Sequence, residues 1–155
     1  KSSLKPCHRR PRIEAAGRGV RFAASVLAAA RWGAAQVLAC HGARGPAEAS
    51  VSFVTGPRMR ALNRRFRGID RVTDVLSFPL GEMVEGRCHA GDVVICLARA
   101  RNQADGAGHS LKREVLLLAV HGTLHLLGFE HHGRPAEPMR KAESLILARW
   151  DGQAR

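Results

Sequence analysis

The feature of this sequence that most constrains its fold is an apolar stretch that carries two histidines. Across residues 115–127 most side chains are Leu, Val or Ala, and His121 and His125 lie four residues apart within the stretch. Apolar residues nearly all round a helix are typical of a buried helix. Residues four apart lie on one helical face, so the two imidazoles point the same way. We therefore predict a buried helix with paired histidines, capped by Ser110 and ended by Gly128.

Two stacked imidazoles in a buried helix need polar partners, and a single metal ion can serve both. Gly128 lets the chain turn back, so that His131 in the following loop can complete the site. Three protein ligands with one open position are typical of a catalytic zinc. The alternative is ordinary helix histidines that bond to their neighbours, and the apolar surroundings favour the metal. We predict one Zn²⁺ ion on His121, His125 and His131.

The residue directly after the first of the paired histidines bears on the type of zinc chemistry. Zincin peptidases use the pattern H-E-x-x-H, in which the Glu activates the attacking water. This chain has Gly122 at that position. Peptide hydrolysis by that mechanism is therefore disfavoured, and a zinc peptidase or amidase is kept only as an alternative.

The rest of the chain predicts one soluble domain over residues 1–155, because 45% of the residues are hydrophobic and 25% are charged. Hydrophobic periodicity and turn residues predict strands at Arg12–Ala16, Val51–Val54, Thr73–Leu80 and Asp92–Leu97. They predict helices at Arg21–Cys40, Pro57–Arg67, Ser110–Leu127 and Pro138–Trp150. Gly81–Gly91 is expected to be a loop or hairpin connection and Asn102–Gly108 a polar loop. No membrane insertion is expected, since the longest early apolar stretch contains Arg31 and many alanines.

The charge balance favours a polyanionic partner. The chain has 25 Lys and Arg against 13 Asp and Glu, a formal net charge of +12. Such a surplus suits nucleic acid, and the alternative is a surface that is only solubilising. The four cysteines have no CxxC spacing, so neither a zinc knuckle nor a disulfide framework is indicated and a reducing compartment is expected.

Three blocks of sequence together resemble one known family. Residues 121–131 read HGTLHLLGFEH, which resembles the signature of the YbeY family of metal-dependent RNA hydrolases. Residues 62–67 (LNRRFR), followed by Asp70 and by residues 73–79 (TDVLSFP), are similar to a second block of that family, and residues 91–96 (GDVVIC) to a third. The blocks keep the family's order and span about residues 50–150, whereas residues 1–45 show no firm match.

The resemblance implies a fold, an activity and a set of partners. It implies an α+β domain with a small mixed β-sheet of about four strands, packed with helices, and a zincin-like metal helix. The implied activity is zinc-dependent, single-strand-specific endoribonuclease cleavage in ribosomal RNA 3′-end maturation and ribosome quality control. The implied partners are single-stranded RNA, ribosomal RNA and ribosomal particles, with ribosomal proteins as further candidates. The expected location is the cytoplasm, or an organelle if the chain is a processed precursor.

The resemblance also assigns residues. The family's three metal ligands fall on His121, His125 and His131, and its functional arginine falls on Arg67. The chain departs from the family at Glu130, where an Asp is usual, and at His132, an additional histidine that could compete for the metal. A non-catalytic, zinc-stabilised RNA-binding factor in ribosome assembly is the main alternative function. Water and the 2′-hydroxyl of the RNA both stay open as the attacking nucleophile.

Overall fold

The computed structural model describes residues 11–17, 19–42, 46–130 and 136–153. Within these ranges the chain forms one four-stranded mixed sheet and five helices. The strands are β1 Arg12–Gly17, β2 Ala47–Val54, β3 Val75–Val84 and β4 Arg87–Cys96. The helices are α1 Ala24–His41, α2 Gly56–Arg67, α3 Leu97–Ala107, α4 Leu111–Leu126 and α5 Ala136–Gln153. The predicted α+β class with a small mixed sheet is confirmed.

The strand order is β1-β2-β4-β3, in which β1, β2 and β4 run parallel and β3 pairs antiparallel with β4. The two antiparallel strands are joined at Glu85 and Gly86, whose φ angles of 49° and 75° are both left-handed. Two such residues are typical of the tight turn that matches strand twist in a hairpin. The connection expected over Gly81–Gly91 is therefore a hairpin, and both strands continue into it.

The two faces of the sheet are covered to different extents. Along β2 residues alternate between buried and half-buried, so that one face belongs to the core and the other is only partly covered. Helices α1 and α4 pack on the first face. On the second face α2 inserts Met59 against Leu76 and Cys96. Helix α5 packs behind α4, where Met139 and Ile146 are fully buried.

One predicted element is wrong. Asn102–Gly108 was expected to be a polar loop, and most of it belongs to α3, which follows β4 directly. Ala100 and Ala104 are buried on one side of this helix, while most of its polar residues face solvent. Two alanines one turn apart are enough to seat a short helix, because their small side chains allow close packing. Gly106 near its exposed end does not prevent helix formation.

The other predicted elements are confirmed with shifted ends. Helix α1 begins at Ala24 rather than Arg21, and β2 begins four residues earlier than expected, at Ala47. Ser110 caps α4 as predicted, since its Oγ accepts the backbone N–H of Arg113 at 3.1 Å. In the part of the chain that the structure describes, no helix is both long and apolar enough to cross a membrane.

Candidate active-site cleft

Helix α4 brings the two predicted histidines together at its C-terminal half. The rings of His121 and His125 lie with centroids 4.7 Å apart, and their Nε2 atoms are separated by 3.2 Å. Both side chains are half-buried, on the side of the helix that opens to solvent. The predicted shared face is therefore confirmed, and the Nε2 atoms of the two rings face each other.

A carboxylate from α5 holds the first of these rings. Glu143 Oε1 lies 2.7 Å from His121 Nδ1, and both side chains are about three-quarters shielded from solvent, with 24% and 28% exposed. A neutral imidazole that donates Nδ1–H to a carboxylate keeps its lone pair on Nε2. This contact therefore favours the tautomer whose Nε2 lone pair faces His125. Sequence analysis missed Glu143, because its position four residues after Met139 places it on the inner face of α5 but does not specify which side chain of α4 it meets.

Gly122 is explained by close packing of α4 on the sheet. A Cβ atom added at Gly122 would lie 2.6 Å from Val93 Cγ1 and 3.1 Å from Ser77 Oγ, so no larger residue fits without movement. Ser77 Oγ also donates a hydrogen bond to the Gly122 carbonyl oxygen at 2.9 Å. A glutamate, as in the zincin peptidase pattern, would meet the same close contacts, so the packing agrees with the glycine found here.

Arg67 lies in the same cleft as the two histidines. The cleft has a volume of about 640 Å³ and is bounded by the end of α2, the start of β3 and the end of α4. Arg67 is the last residue of α2, which ends at the left-handed Gly68. The following loop is held by an ion pair between Arg60 Nε and Asp70 Oδ1 at 2.9 Å. We name this space the histidine cleft; its lining includes Arg67, Asp74, Ser77, His121, His125 and Glu130.

Two acidic residues at or near the cleft, Asp74 and Glu114, have polar partners within the protein. Both carboxylate oxygens of Asp74 accept hydrogen bonds, one from the Val75 N–H at 2.8 Å and the other from Gln103 Nε2 at 3.1 Å. Burial raises the pKa of the Glu114 carboxyl, its partner His109 at 3.1 Å lowers it, and Asp74 adds a further rise. Asp74 and Glu114 are therefore both engaged by other groups of the protein.

The geometry of the histidine pair suits a zinc ion. Two nitrogen ligands of one tetrahedral zinc, each about 2.0–2.1 Å from the metal, lie about 3.3 Å apart. The 3.2 Å between the Nε2 atoms of His121 and His125 is close to that value. The distance also fits a hydrogen bond between the rings, so metal content has to be measured.

The third predicted ligand, His131, and its neighbour His132 lie outside the described residues. Within the described ranges, no group of three or more His, Cys, Asp or Glu residues is arranged to hold a metal. The complete ligand set therefore stays a prediction.

Comparison with known proteins identifies relatives of this fold and cleft. The sequence model of the family described as Endoribonuclease YbeY matches residues 23–151. A protein named Endoribonuclease YbeY from Pelotomaculum thermopropionicum is 46% identical over 122 residues, which cover 75% of this chain and 80% of the relative. Another of that name from Geobacillus kaustophilus is 46% identical over 114 residues, or 67% and 73% of the two chains. The solution structure of TM1509 from Thermotoga maritima is 26% identical, with a TM-score of 0.59 over 91% of this chain and 93% of that one.

The fold defines the class of this protein as α+β, with a four-stranded mixed sheet packed with helices. More particularly, the chain belongs to the Endoribonuclease YbeY family, because the family model covers most of its length and several relatives are nearly half identical to it. The resemblance found in the three sequence blocks is thereby confirmed.

Proposed function

We propose that this chain is a zinc-dependent endoribonuclease that cleaves single-stranded RNA. The observation that carries the proposal is the meeting of three groups in one cleft. The Nε2 atoms of His121 and His125 face each other at 3.2 Å, and Arg67, far away in the sequence, lines the same space. The relatives' name, Endoribonuclease YbeY, supports RNA as the substrate. Processing of ribosomal RNA 3′ ends and ribosome quality control are the proposed cellular setting.

The proposed site combines a metal with a fixed cation. His121, His125 and, beyond the described residues, His131 would hold one zinc ion, which in such sites activates water or polarises a phosphoryl oxygen. Glu143 orients His121 through the 2.7 Å contact to Nδ1. The Arg67 guanidinium donates hydrogen bonds to the scissile phosphate and neutralises the charge that develops there. Its place at the end of α2 leaves it exposed and able to reach a bound strand.

Zinc removal tests the metal part of the proposal. The purified chain is treated with a chelator, and cleavage of an end-labelled single-stranded RNA is followed before and after zinc is restored. Cleavage should disappear and return with zinc. His125→Ala should leave the protein folded but without stoichiometric zinc, because only two of the three proposed ligands remain. Full zinc occupancy in this variant would sink the assignment of the ligands.

Arg67→Ala separates an enzyme from an assembly factor. Because an exposed helix arginine adds little to stability, zinc content and Tm should stay near those of the parent. The cleavage rate should fall roughly 10²–10³-fold, the usual effect of losing one group that stabilises transition-state charge. Arg64→Ala is the matched control, since Arg64 is also exposed in the last turn of α2 but does not line the cleft. If the zinc-loaded parent binds RNA without cleaving it, the assembly-factor function replaces the enzyme.

A further inference from the structure

A second groove lies on the face of the sheet that α2 covers only in part. It has a volume of about 950 Å³ and separates α2 from the strands below it. Its floor includes Ser50 and Ser52, which alternate along β2 with residues buried on the core face. We name it the stacking groove; the lining residues used below are Ser50, Ser52, Arg58, Phe66 and Phe78. Floor hydroxyls of this kind can donate or accept hydrogen bonds at the edge of a planar ligand.

An aromatic ring stands exposed at one wall of this groove. Phe66 is 54% exposed, although Met59 on the same helix is fully buried. The Phe78 ring meets it edge-on, with centroids 5.1 Å apart and planes inclined at 70°. The guanidinium carbon of Arg65 lies 5.2 Å from its centroid. The protein thus holds a ring in place beside a cation while leaving more than half of the residue accessible.

The charges around this ring favour a nucleic acid over an apolar peptide. Arg58 lines the groove, Arg65 stands over the ring, and the last turn of α2 carries further arginines. The acidic Asp92 at the groove is engaged, since its carboxylate accepts a hydrogen bond from Ser50. Exposed aromatic rings within a basic groove are the usual means of binding single strands, because every base has a face that can stack.

The stacking groove and the histidine cleft meet at consecutive residues. Phe66 lines the groove, and Arg67, the next residue, lines the cleft. On β3 the neighbours Phe78 and Ser77 likewise belong to the groove and the cleft, and because adjacent residues of a strand point to opposite faces, the two sites flank this edge strand. An RNA strand that passes over the edge of β3 would therefore run from the cleft lined by Arg67 to the groove lined by Phe66.

We propose that the stacking groove is a base-binding subsite for single-stranded RNA, in which Phe66 stacks on a nucleobase adjacent to the phosphate held at Arg67. This inference rests on the proposed function for the identity of the strand. The inferred contact does not depend on the identity of the base, and it places the RNA strand across the edge of β3. Double-stranded RNA is excluded from this subsite, because its bases already stack on one another.

The test is a binding cycle between Phe66 and single bases of the RNA. Affinity of the zinc-loaded protein for a labelled single-stranded RNA is measured by fluorescence anisotropy over times too short for cleavage. Phe66→Ala should weaken binding roughly five- to 100-fold, the effect of losing one stacked base. Phe66→Trp should retain the parent's affinity. The matched control is Leu145→Ala on α5, another apolar residue that is 59% exposed, and it should change nothing.

An RNA with one abasic nucleotide, moved along the strand, completes the cycle. At one position the abasic site should weaken binding to the parent but not to Phe66→Ala. The base missing at that position is the one that stacks on Phe66, and the variant has already lost this contact. In Phe66→Trp, single-stranded RNA should also quench the emission of the new tryptophan. Equal affinities of the parent and Phe66→Ala overturn the inference, as does an equal loss at every abasic position. If RNA cleavage persists in that case, the proposed endoribonuclease function stands and only the subsite is rejected. If the coupling is found at one base but no RNA is cleaved, the subsite stands and the endoribonuclease function is rejected.

Discussion

At the scale of the single residue, Glu143 is the carboxylate that contacts a proposed metal ligand, His121, at 2.7 Å. Glu143→Ala should lower zinc affinity about 10–100-fold, because His121 then loses the acceptor that fixes its tautomer and orientation. Glu143→Gln should lose less, since an amide oxygen still accepts the same N–H. Zinc affinity is measured by competition with a chromophoric chelator, a readout independent of cleavage.

A charge-matched control distinguishes this contact from a general effect of charge on zinc affinity. Glu137 lies on the same helix with its side chain 81% exposed, and it contacts only the nearby Arg140 at 3.9 Å in the described structure. Glu137→Ala removes the same charge and should leave zinc affinity unchanged. If both variants bind zinc as the parent does, Glu143 has no part in holding the metal.

The residues of the cleft differ in how far the sequence could predict them. The pairing of His121 and His125 follows from their spacing on one helix, so the structure confirms that shared face. The contact with Glu143 depends on how α5 packs against α4, and no local pattern specifies that angle. Arg67 was assigned only through the family resemblance, because one arginine in a basic helix looks like its neighbours. Its position in the histidine cleft depends on the strand order, in which α2 connects β2 to β3 across the intervening β4.

At the scale of the element, the seating of α4 on the sheet depends on Gly122. Gly122→Ala should destabilise the protein by about 1–3 kcal/mol, since the added methyl group enters filled space beside Val93 and Ser77. Helix propensity alone predicts the opposite, a gain of up to about 1 kcal/mol. Gly106→Ala is the control, because nothing lies within 4 Å of a Cβ added at that position of α3. Urea unfolding of both variants measures the difference, and a stabilised Gly122→Ala would show that packing is not what selects glycine there.

The elements themselves were largely predictable, and the exceptions have local causes. Long segments with a clear hydrophobic pattern, such as α1 and α4, were found within a few residues of their observed ends. Helix α3 was missed because two of its three buried residues, Ala100 and Ala104, are small and give only a weak apolar signal. The extension of β3 and β4 into a hairpin was hidden by Gly81 and Gly91, since glycines also mark loops.

At the scale of the whole molecule, the net charge of +12 should make RNA binding depend on salt. If Arg58, Arg65 and Arg67 each contact one phosphate of a single strand, a plot of log K against log salt should have a slope of about −2. The RNA affinity should then fall roughly twentyfold between 50 and 200 mM salt. Arg67→Ala should reduce the slope by about 0.7, because one phosphate contact is lost. Arg140→Ala, which removes an equal charge from an exposed side chain that lines neither the cleft nor the groove, should leave the slope unchanged. If the RNA affinity of the parent does not depend on salt, the positive charge is only solubilising. If the two variants have equal slopes, the charge acts diffusely over the surface rather than through α2.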